Sequence, residues 1–441
     1  MTQGSLADKI LFFALPVAIT AILQQFYNTV DVATTGHLVG TEAMAAVGTN
    51  SPIIALLVSL FQGISLGANV TIATAIGAGD KDRAHKAVHT AIVVALVGGV
   101  IFAVATEILA APLLVALEVP ADVMDMALGY LRIYLLGLPV IFLYDFEAAI
   151  MRSVGDTRKP LYALLVSSAV NVVLDLAACT VLGWGVWGVS AATVIATGVA
   201  TLILFVDLLR SPTDVRVNLR DLAVDPWSLK RTLKVGLPAG IQASLFSVAN
   251  IVIQGATNEL GSTAIAASSA SVSLETITYY SIGAFGQACT TFVGQNNGAR
   301  KPDRCWRTLK VTAAETAAVC GTFIVLVLSF GHQLLGLFNP DPAVIQLGYI
   351  RLFYVVAAHT FTMITEVSSG YLRGYGVSLS PAIVTLFSIV VIRLVYVFAI
   401  YPASPGFEHL MRIYPITLGI NAVGIVALFL VLHKSLGKSR D

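Results

Sequence analysis

Twelve apolar runs follow one another along the chain, and they constrain its fold more than any other feature of the sequence. Their approximate limits are 10–35, 44–76, 87–112, 125–150, 160–182, 187–209, 231–257, 265–295, 307–330, 343–370, 380–401 and 413–433. An apolar run of about 20 residues crosses a bilayer as an α-helix. Only 12% of the residues are charged, which is about half the fraction found in soluble domains. The sequence therefore predicts an all-α polytopic membrane protein with twelve transmembrane helices.

A long polar interval over residues 210–231 separates the first six spans from the last six. The expected organisation is an N-lobe over residues 1–209 with spans 1–6, a cytoplasmic linker over 210–230, and a C-lobe over 231–441 with spans 7–12.

Basic residues are concentrated in loops on one side of these spans. Loops rich in lysine and arginine remain in the cytoplasm. We therefore expect both termini to be cytoplasmic and the protein to lie in the cell's inner (plasma) membrane. The residues that carry this inference include Lys9, Lys81, Arg83, Lys86, Arg152, Arg158, Lys159, Arg300, Lys301, Arg304 and the tail residues Lys434, Lys438 and Arg440.

The two halves of the chain repeat each other. LPVAITAILQQFYNTVD from Leu15 parallels LPAGIQASLFSVANIVI from Leu237, 222 positions later. GAGDKDRA from Gly77 parallels GARKPDRC from Gly298, and RSVGDTRKP from Arg152 parallels RGYGVSLSP from Arg373, both 221 positions later. This near-constant offset predicts two pseudo-symmetric six-helix bundles. Transporters built in this way bind substrate at the interface between the repeats and work by rocking one against the other.

The first span ends in a polar stripe that is costly in lipid. Gln24, Asn28 and Asp31 are spaced i, i+4 and i+7, so they share one face of a helix. A carboxylate at the bilayer centre costs about 2.5–3.5 kcal/mol on insertion scales, so Asp31 needs a partner or a function. Pro16, in the same span, frees a backbone carbonyl and favours a kink, and we treat it as a candidate hinge.

These landmarks resemble the multidrug and toxic compound extrusion (MATE) family of secondary transporters. The resemblance covers nearly the whole chain and depends on the order of the spans, the Leu-Pro pairs and the GAGD and RSVGD loops. It implies two six-helix lobes in a V-shaped arrangement and cation-coupled efflux of organic compounds. Many members carry an Asp in helix 1, Asn-x-x-x-Asp in helix 5 and a Thr in helix 6, and Asp31, Asn171, Asp175 and Thr193 stand at those places.

The residues themselves suit cation binding. Asn171 and Asp175 are four apart and lie on one face of a helix. Carboxyl groups that are buried together favour the protonated form, because burial and like charge both oppose ionisation. The same oxygens could hold Na⁺, or the polar groups could serve only to join helices through hydrogen bonds. We favour H⁺ as the coupling ion.

The C-terminal half offers an internal comparison, because it keeps the scaffold without these acids. The carboxylates of the N-terminal half are therefore more readily explained by function than by folding. At offset 222 Asp31 meets Ile253, and at offset 221 Asn171 meets Ile392 and Asp175 meets Tyr396.

The leading hypothesis is an antiporter that exports amphipathic, often cationic compounds in exchange for H⁺ or Na⁺. Glu275 and Tyr279 are candidate substrate-cavity residues through charge and cation–π contact. A lipid-linked precursor flippase is the alternative.

We expect a monomer in the lipid bilayer with no enzymatic activity, nucleic-acid partner, cofactor or resident metal. His85 and His89 have the spacing of a zinc pair but lack the glutamate of a metalloprotease motif.

Overall fold

The computed structural model describes residues 1–116 and 119–436, and α-helices make up most of this length with no β-strand in it. The all-α fold is confirmed. The tail residues Lys438 and Arg440, which contributed to the predicted orientation, lie outside the described residues. Within the described ranges the helices are α1 (Ala7–Leu38), α2 (Thr41–Gly77), α3 (Lys81–Ala116), α4 (Ala121–Leu136), α5 (Leu138–Ser153), α6 (Arg158–Leu176), α7 (Gly185–Arg210), α8 (Pro226–Asn258), α9 (Ser262–Gly298), α10 (Pro302–Ser329), α11 (Gly331–Gly336), α12 (Pro342–Gly374), α13 (Leu379–Thr385), α14 (Ile392–Val395), α15 (Phe407–Met411) and α16 (Ile413–Leu436).

Wider π-helical turns occur in two of the predicted spans. One continues α6 over Ala177–Val181, and two others flank α14, over Leu386–Val391 and Tyr396–Ile400. A π turn interrupts the regular i→i−4 hydrogen bonding and is frequent at functional sites. The residues after such a turn therefore change register relative to a regular helix.

Ten helical segments in the described part of the chain are long and apolar enough to cross a membrane, and α4 with α5, bent by 48°, makes an eleventh. The predicted eighth span, 265–295, coincides with α9, which has 37 residues. The mean hydropathy of α9 is too low for it to count among the ten segments, because serine, threonine, asparagine and glutamine are frequent along it. The twelve-helix, two-lobe arrangement is consistent with these segments.

The helices form two compact units. The first, the N-unit, comprises Ile19–Leu237, and the second, the C-unit, comprises Met1–Ala18 together with Pro238–Asp441. The predicted lobes, 1–209 and 231–441, differ from these units at the start of α1 and of α8. In both helices the chain passes from one unit to the other next to a Leu-Pro pair, at Pro16 and at Pro238.

The N-unit contains a buried aromatic and aliphatic core and one very close helix contact. Phe61 stacks on Phe142 with ring centroids 3.5 Å apart and meets Phe102 edge-on at 4.8 Å. A Cβ atom on Gly67 of α2 would lie 2.1 Å from the backbone oxygen of Thr232 in α8. Only glycine permits this approach, as the small-residue pairing of membrane helices requires.

The C-unit includes the first turns of α1. Ile10 and Phe13 are buried in one cluster with Phe285 and Phe292 of α9, and Phe13 meets Phe292 edge-on at 5.7 Å. The start of the chain thus has an apolar face that the C-unit covers.

The repeat extends to the loop conformations. Gly79 and Arg300 occupy corresponding places after α2 and α9, with φ of 71° and 54°. Gly155 and Gly376 correspond after α5 and α12, with φ of 92° and 86°. These left-handed conformations suit glycine. Arg300 adopts the same conformation although it is not a glycine.

Candidate cation-binding site

Three helices of the N-unit bring the four predicted site residues together. Asp31 lies in α1, Asn171 and Asp175 lie one turn apart in α6, and Thr193 lies in α7. All four side chains are buried, with Asn171 and Asp175 fully inaccessible to solvent. Residues separated by as many as 162 positions therefore share one interior site.

The amide of Asn171 connects the two carboxyl groups. Its nitrogen, oriented to satisfy its neighbours, donates to Asp31 Oδ1 at 3.1 Å and to Asp175 Oδ2 at 3.2 Å. Thr193 Oγ1 donates to Asp31 Oδ2 at 3.0 Å. The Asn171 oxygen accepts from the hydroxyl of Tyr27 at 3.2 Å. We call these five residues the acid cluster.

The acid cluster lacks a basic partner. Among the described residues no lysine or arginine forms an ion pair with Asp31 or Asp175. The two carboxyl groups both accept from the one Asn171 nitrogen, and a proton on either of them would relieve the repulsion between two like charges. Asp175 Oδ1 is buried and has no hydrogen-bond partner in the described part of the chain. The arrangement can therefore hold a proton, or a small cation among its oxygens.

Tyr27 is the cluster member that sequence reasoning missed, and Gln24 and Asn28 are the predicted supporting residues that do not join it. Tyr27 lies one helical turn before Asp31, but an aromatic residue in an apolar run looks like a lipid-facing one. Gln24 is half-buried and Asn28 is exposed. In the described structure neither forms a hydrogen bond with the acid cluster.

Glu275, the candidate substrate-cavity acid in α9, has a basic partner. Its Oε1 accepts from Arg351 Nη2 at 2.6 Å. Tyr279 lies one turn further, with its ring 6.0 Å from that of Phe246 and 6.1 Å from that of His359. Arg351 therefore neutralises the charge that we expected Glu275 to offer to cationic compounds.

The family model described as MatE matches this chain twice, over residues 16–177 and 238–399, so it covers most of the sequence. The chain belongs to the MatE family. The matched stretches begin 222 positions apart, which confirms the internal repeat. Members of this family are membrane transporters, so the protein is a multi-pass transporter and not an enzyme.

Its relatives cover nearly all of its length. It is 27% identical over 395 residues to the probable multidrug resistance protein YoeA of Bacillus subtilis (strain 168), covering 88% of this chain and 85% of YoeA. It is 26% identical over 394 residues to the probable multidrug resistance protein NorM of Thermotoga maritima, covering 88% and 84% of the two chains.

Solved structures share its fold. A crystal structure of MATE in complex with MaL6 has a TM-score of 0.91 at 22% identity, covering 99% of this chain and 98% of that one. A MOP superfamily transporter from Pyrococcus furiosus Vc1 (DSM3638), reported to have a binding pocket of reverse polarity, has a TM-score of 0.90 at 22% identity, with the same coverage.

Pro16 lies within α1, and this helix of the MATE transporter runs from Ala7 to Leu38. The passage of the chain between the two compact units, after Ala18, falls half a turn beyond this proline. Its function as a hinge stays a prediction.

His85 and His89, the pair with zinc-like spacing, lie close to Asp221, with one ligand atom of each residue within 4.8 Å of the others. Both ring nitrogens of His89 are already engaged. Nδ1 lies 2.7 Å from the carbonyl oxygen of His85, and Nε2 accepts from the backbone N–H of Asn218 at 2.9 Å. These contacts join the segment after α7 to the first turns of α3.

The repeat register needs one correction where α6 corresponds to the segment that contains α14. Asn171 follows Pro160 by eleven residues, whereas Arg393 follows Pro381 by twelve. The π turns over Leu386–Val391 accommodate the additional residue. Arg393 is fully buried, like Asn171, whereas Ile392 is only half-buried. Arg393, and not Ile392, is therefore the counterpart of Asn171.

Proposed function

We propose that this MATE transporter is a secondary active antiporter that exports amphipathic organic compounds, cationic ones among them, in exchange for H⁺ or Na⁺. The observation that carries the proposal is the acid cluster. Two buried carboxyl groups share one amide donor and have no basic partner among the described residues. A bound cation balances this charge inside the membrane, and its release leaves the cluster ready for another cycle.

We favour H⁺ as the coupling ion. A single proton on Asp31 or Asp175 removes the like-charge repulsion of the pair without further ligands, because the two carboxyl groups share the Asn171 nitrogen as a donor. Asn171 and Thr193 donate to the carboxyl oxygens, and these bonds are stronger when the acceptor is ionised. The same donors therefore help the cluster to release its proton.

The energy available is sufficient for efflux. One charge that moves inward at 100 mV contributes about 2.3 kcal/mol, and a tenfold proton gradient adds about 1.4 kcal/mol. For an uncharged substrate these two contributions together sustain a gradient of several hundredfold, since each 1.36 kcal/mol corresponds to a factor of ten. Exchange of one H⁺ for one monovalent cation moves no net charge, so the proton gradient alone then sustains about a tenfold gradient of a cationic substrate.

The relatives support the substrate class. YoeA and NorM are named as probable multidrug resistance proteins, and MepA of Staphylococcus haemolyticus, 23% identical to this chain, is named as a multidrug export protein. We propose the inner (plasma) membrane as the location, with cytoplasmic termini, a monomeric state, and bending of α1 at Pro16 as the cluster gains or loses its cation.

Proteoliposomes that contain the purified transporter test the proposal. Addition of a cationic dye on one side is expected to drive a proton flux, measured with an entrapped pH indicator, or a sodium flux, measured with a sodium indicator. Asp31→Asn should abolish this flux. Asp125→Asn, which changes an exposed carboxylate of α4 in the same unit, is the matched control and should leave it intact. Equal fluxes in both variants would contradict the assignment.

A lipid-linked precursor flippase is the second candidate, and one observation favours it. Such a substrate carries phosphate groups, and Arg393 is a buried cation of the C-unit. Flippase activity would appear as translocation of a lipid-linked phosphate without a flux of H⁺ or Na⁺.

A further inference from the structure

Two arginines are buried among the described residues of the C-unit, and one of these two has a carboxylate partner. Arg351 pairs with Glu275. Arg393 is fully buried, and the ion pairs of the described residues do not include it. Its Nη1 donates to Asn250 Oδ1 at 2.8 Å and its Nε donates to Thr417 Oγ1 at 3.3 Å. Its Nη2 has no hydrogen-bond partner among the residues that the structure describes.

Neutral neighbours do not compensate the charge of Arg393. Taking an ion out of water costs several kcal/mol even after the surroundings relax. The guanidinium carbon lies 4.6 Å from the ring centroid of Tyr414 and 5.3 Å from that of Phe246. Cation–π contacts contribute about 0.5–2 kcal/mol each, so they offset part of that cost. Glu275, the carboxylate that pairs with Arg351, also acts electrostatically on Arg393, but no carboxylate of the described residues is hydrogen-bonded to the Arg393 guanidinium.

The internal repeat relates Arg393 to a residue of the acid cluster. Arg393 is the counterpart of Asn171, the amide that holds the two carboxyl groups of the acid cluster. The N-unit therefore has an acidic centre and the C-unit a basic centre at corresponding places in the fold. A bound cation balances the first, and a bound anion is what would balance the second.

The neighbours of Arg393 in α8 indicate which anion suits it. Phe246 and Asn250 are one turn apart and half-buried, so they form an aromatic and amide face next to the guanidinium. Phe246 also stacks with Tyr279, with ring planes 8° apart. A planar guanidinium binds carboxylate and phosphate oxygens through paired N–H groups. The site therefore combines N–H groups that can donate to an anion with an aromatic ring that can contact the rest of the ligand.

We propose that Arg393 binds the anionic oxygen group of an amphipathic substrate, with a carboxylate as the simplest case, and that the aromatic body packs near Phe246. The inference rests on the proposed function and names the residue that would hold the anionic group of a zwitterionic or anionic substrate.

A matched pair of dyes tests this site. One is a rhodamine that bears a free carboxylate, and the other is the methyl ester of the same dye, which carries only the positive charge. Binding to the purified transporter in phosphatidylcholine nanodiscs is followed by fluorescence anisotropy. Arg393→Gln is expected to weaken binding of the carboxylate dye by about tenfold or more, since a hydrogen bond to a charged group contributes about 1.5–3 kcal/mol. The ester should change by less than about twofold.

Unchanged binding of the ester also indicates that the variant folds. Arg393→Lys keeps the charge but loses the planar fork, so we expect an intermediate loss for the carboxylate dye. This variant serves as the test if Arg393→Gln does not fold. Equal weakening of both dyes, or no change in either, would make Arg393 a structural residue and overturn the proposal.

A second arm identifies the source of the anion. In nanodiscs that contain phosphatidylglycerol, a lipid phosphate that occupies the site would weaken carboxylate-dye binding to the wild type but not to Arg393→Gln. Equal affinity of the wild type in both lipids would assign the site to dissolved substrates. These assays need no ion gradient, so a failure of coupled flux in proteoliposomes would overturn the antiport proposal without affecting the arginine site.

Discussion

The hydroxyl of Thr193 provides a sharp test of proton binding by the acid cluster. Thr193→Val keeps the shape of the side chain and removes one donor to Asp31 Oδ2, at 3.0 Å. The single hydroxyl proton of Thr193 is shared with the carbonyl oxygen of Val189, one turn earlier in the same helix, which also accepts at 3.0 Å. The substitution should therefore change the charge balance of the cluster more than the fold.

The expected effect follows from that hydrogen bond. A bond to an ionised acceptor contributes about 1.5–3 kcal/mol and one to a neutral acceptor about 0.5–1.5 kcal/mol. Loss of the hydroxyl therefore disfavours the ionised cluster by about 1.4 kcal/mol relative to the protonated one, which corresponds to about one pH unit. The variant should retain its proton to higher pH, so its transport profile moves toward alkaline pH by about one unit.

The assay is dye-driven proton flux in proteoliposomes, measured over a series of pH values. Thr193→Ser, which keeps the hydroxyl, is the matched control and should follow the wild-type profile. If the Val and wild-type profiles superimpose, the hydrogen bond has no influence on proton release. If instead Thr193→Val weakens activation by Na⁺ and leaves the pH profile unchanged, Na⁺ is the coupling ion and our preference for H⁺ is wrong.

Three further predictions concern the scaffold. Gly67→Ala should destabilise the transporter by about 1–3 kcal/mol through overpacking and lower its melting temperature. Gly48→Ala, in the same helix with nothing near the added Cβ, should not do so, and equal melting temperatures would refute the close contact. Asp225 caps α8 by accepting from the backbone N–H of Ser228 at 2.8 Å, and its contact with Ser228 lowers the pKa of Asp225. Asp225→Ala should cost about 1 kcal/mol at neutral pH, and the difference should vanish as the pH falls through the lowered pKa; a difference that persists in acid would contradict this. Pro16→Ala should reduce any difference in the bend of α1 between low and high pH, measured as spin-label distances, whereas a proline-independent bend would remove the hinge.

The helical class was predicted from local patterns, whereas the four predicted acid-cluster residues were assigned together through the resemblance to the MATE family. Long apolar runs define spans, and a four-residue spacing places Asn171 and Asp175 on one helix face. Partners across helices depend on packing, which a single sequence does not contain. The hydrogen bond from Tyr27 and the pairing of Glu275 with Arg351 could therefore not be predicted from the sequence.

The register of the repeat was predicted only in part, and for a physical reason. A constant offset assumes regular helices, whereas the π turns before Arg393 insert one residue and bring the arginine to the buried face. The boundaries of the compact units have a similar origin. Spans and loops mark where helices end, but they do not reveal that α1 and α8 each contribute to both units.

Proton release on substrate binding tests the central claim most directly. The purified transporter is mixed with saturating cationic dye in weakly buffered solution, and the pH change is recorded for the wild type, Asp31→Asn and Asp175→Asn. The account predicts that the wild type releases protons on dye binding and that both variants, while still binding the dye, release none. Equal release by all three proteins would contradict it, because the acid cluster would then not hold the exchanged proton.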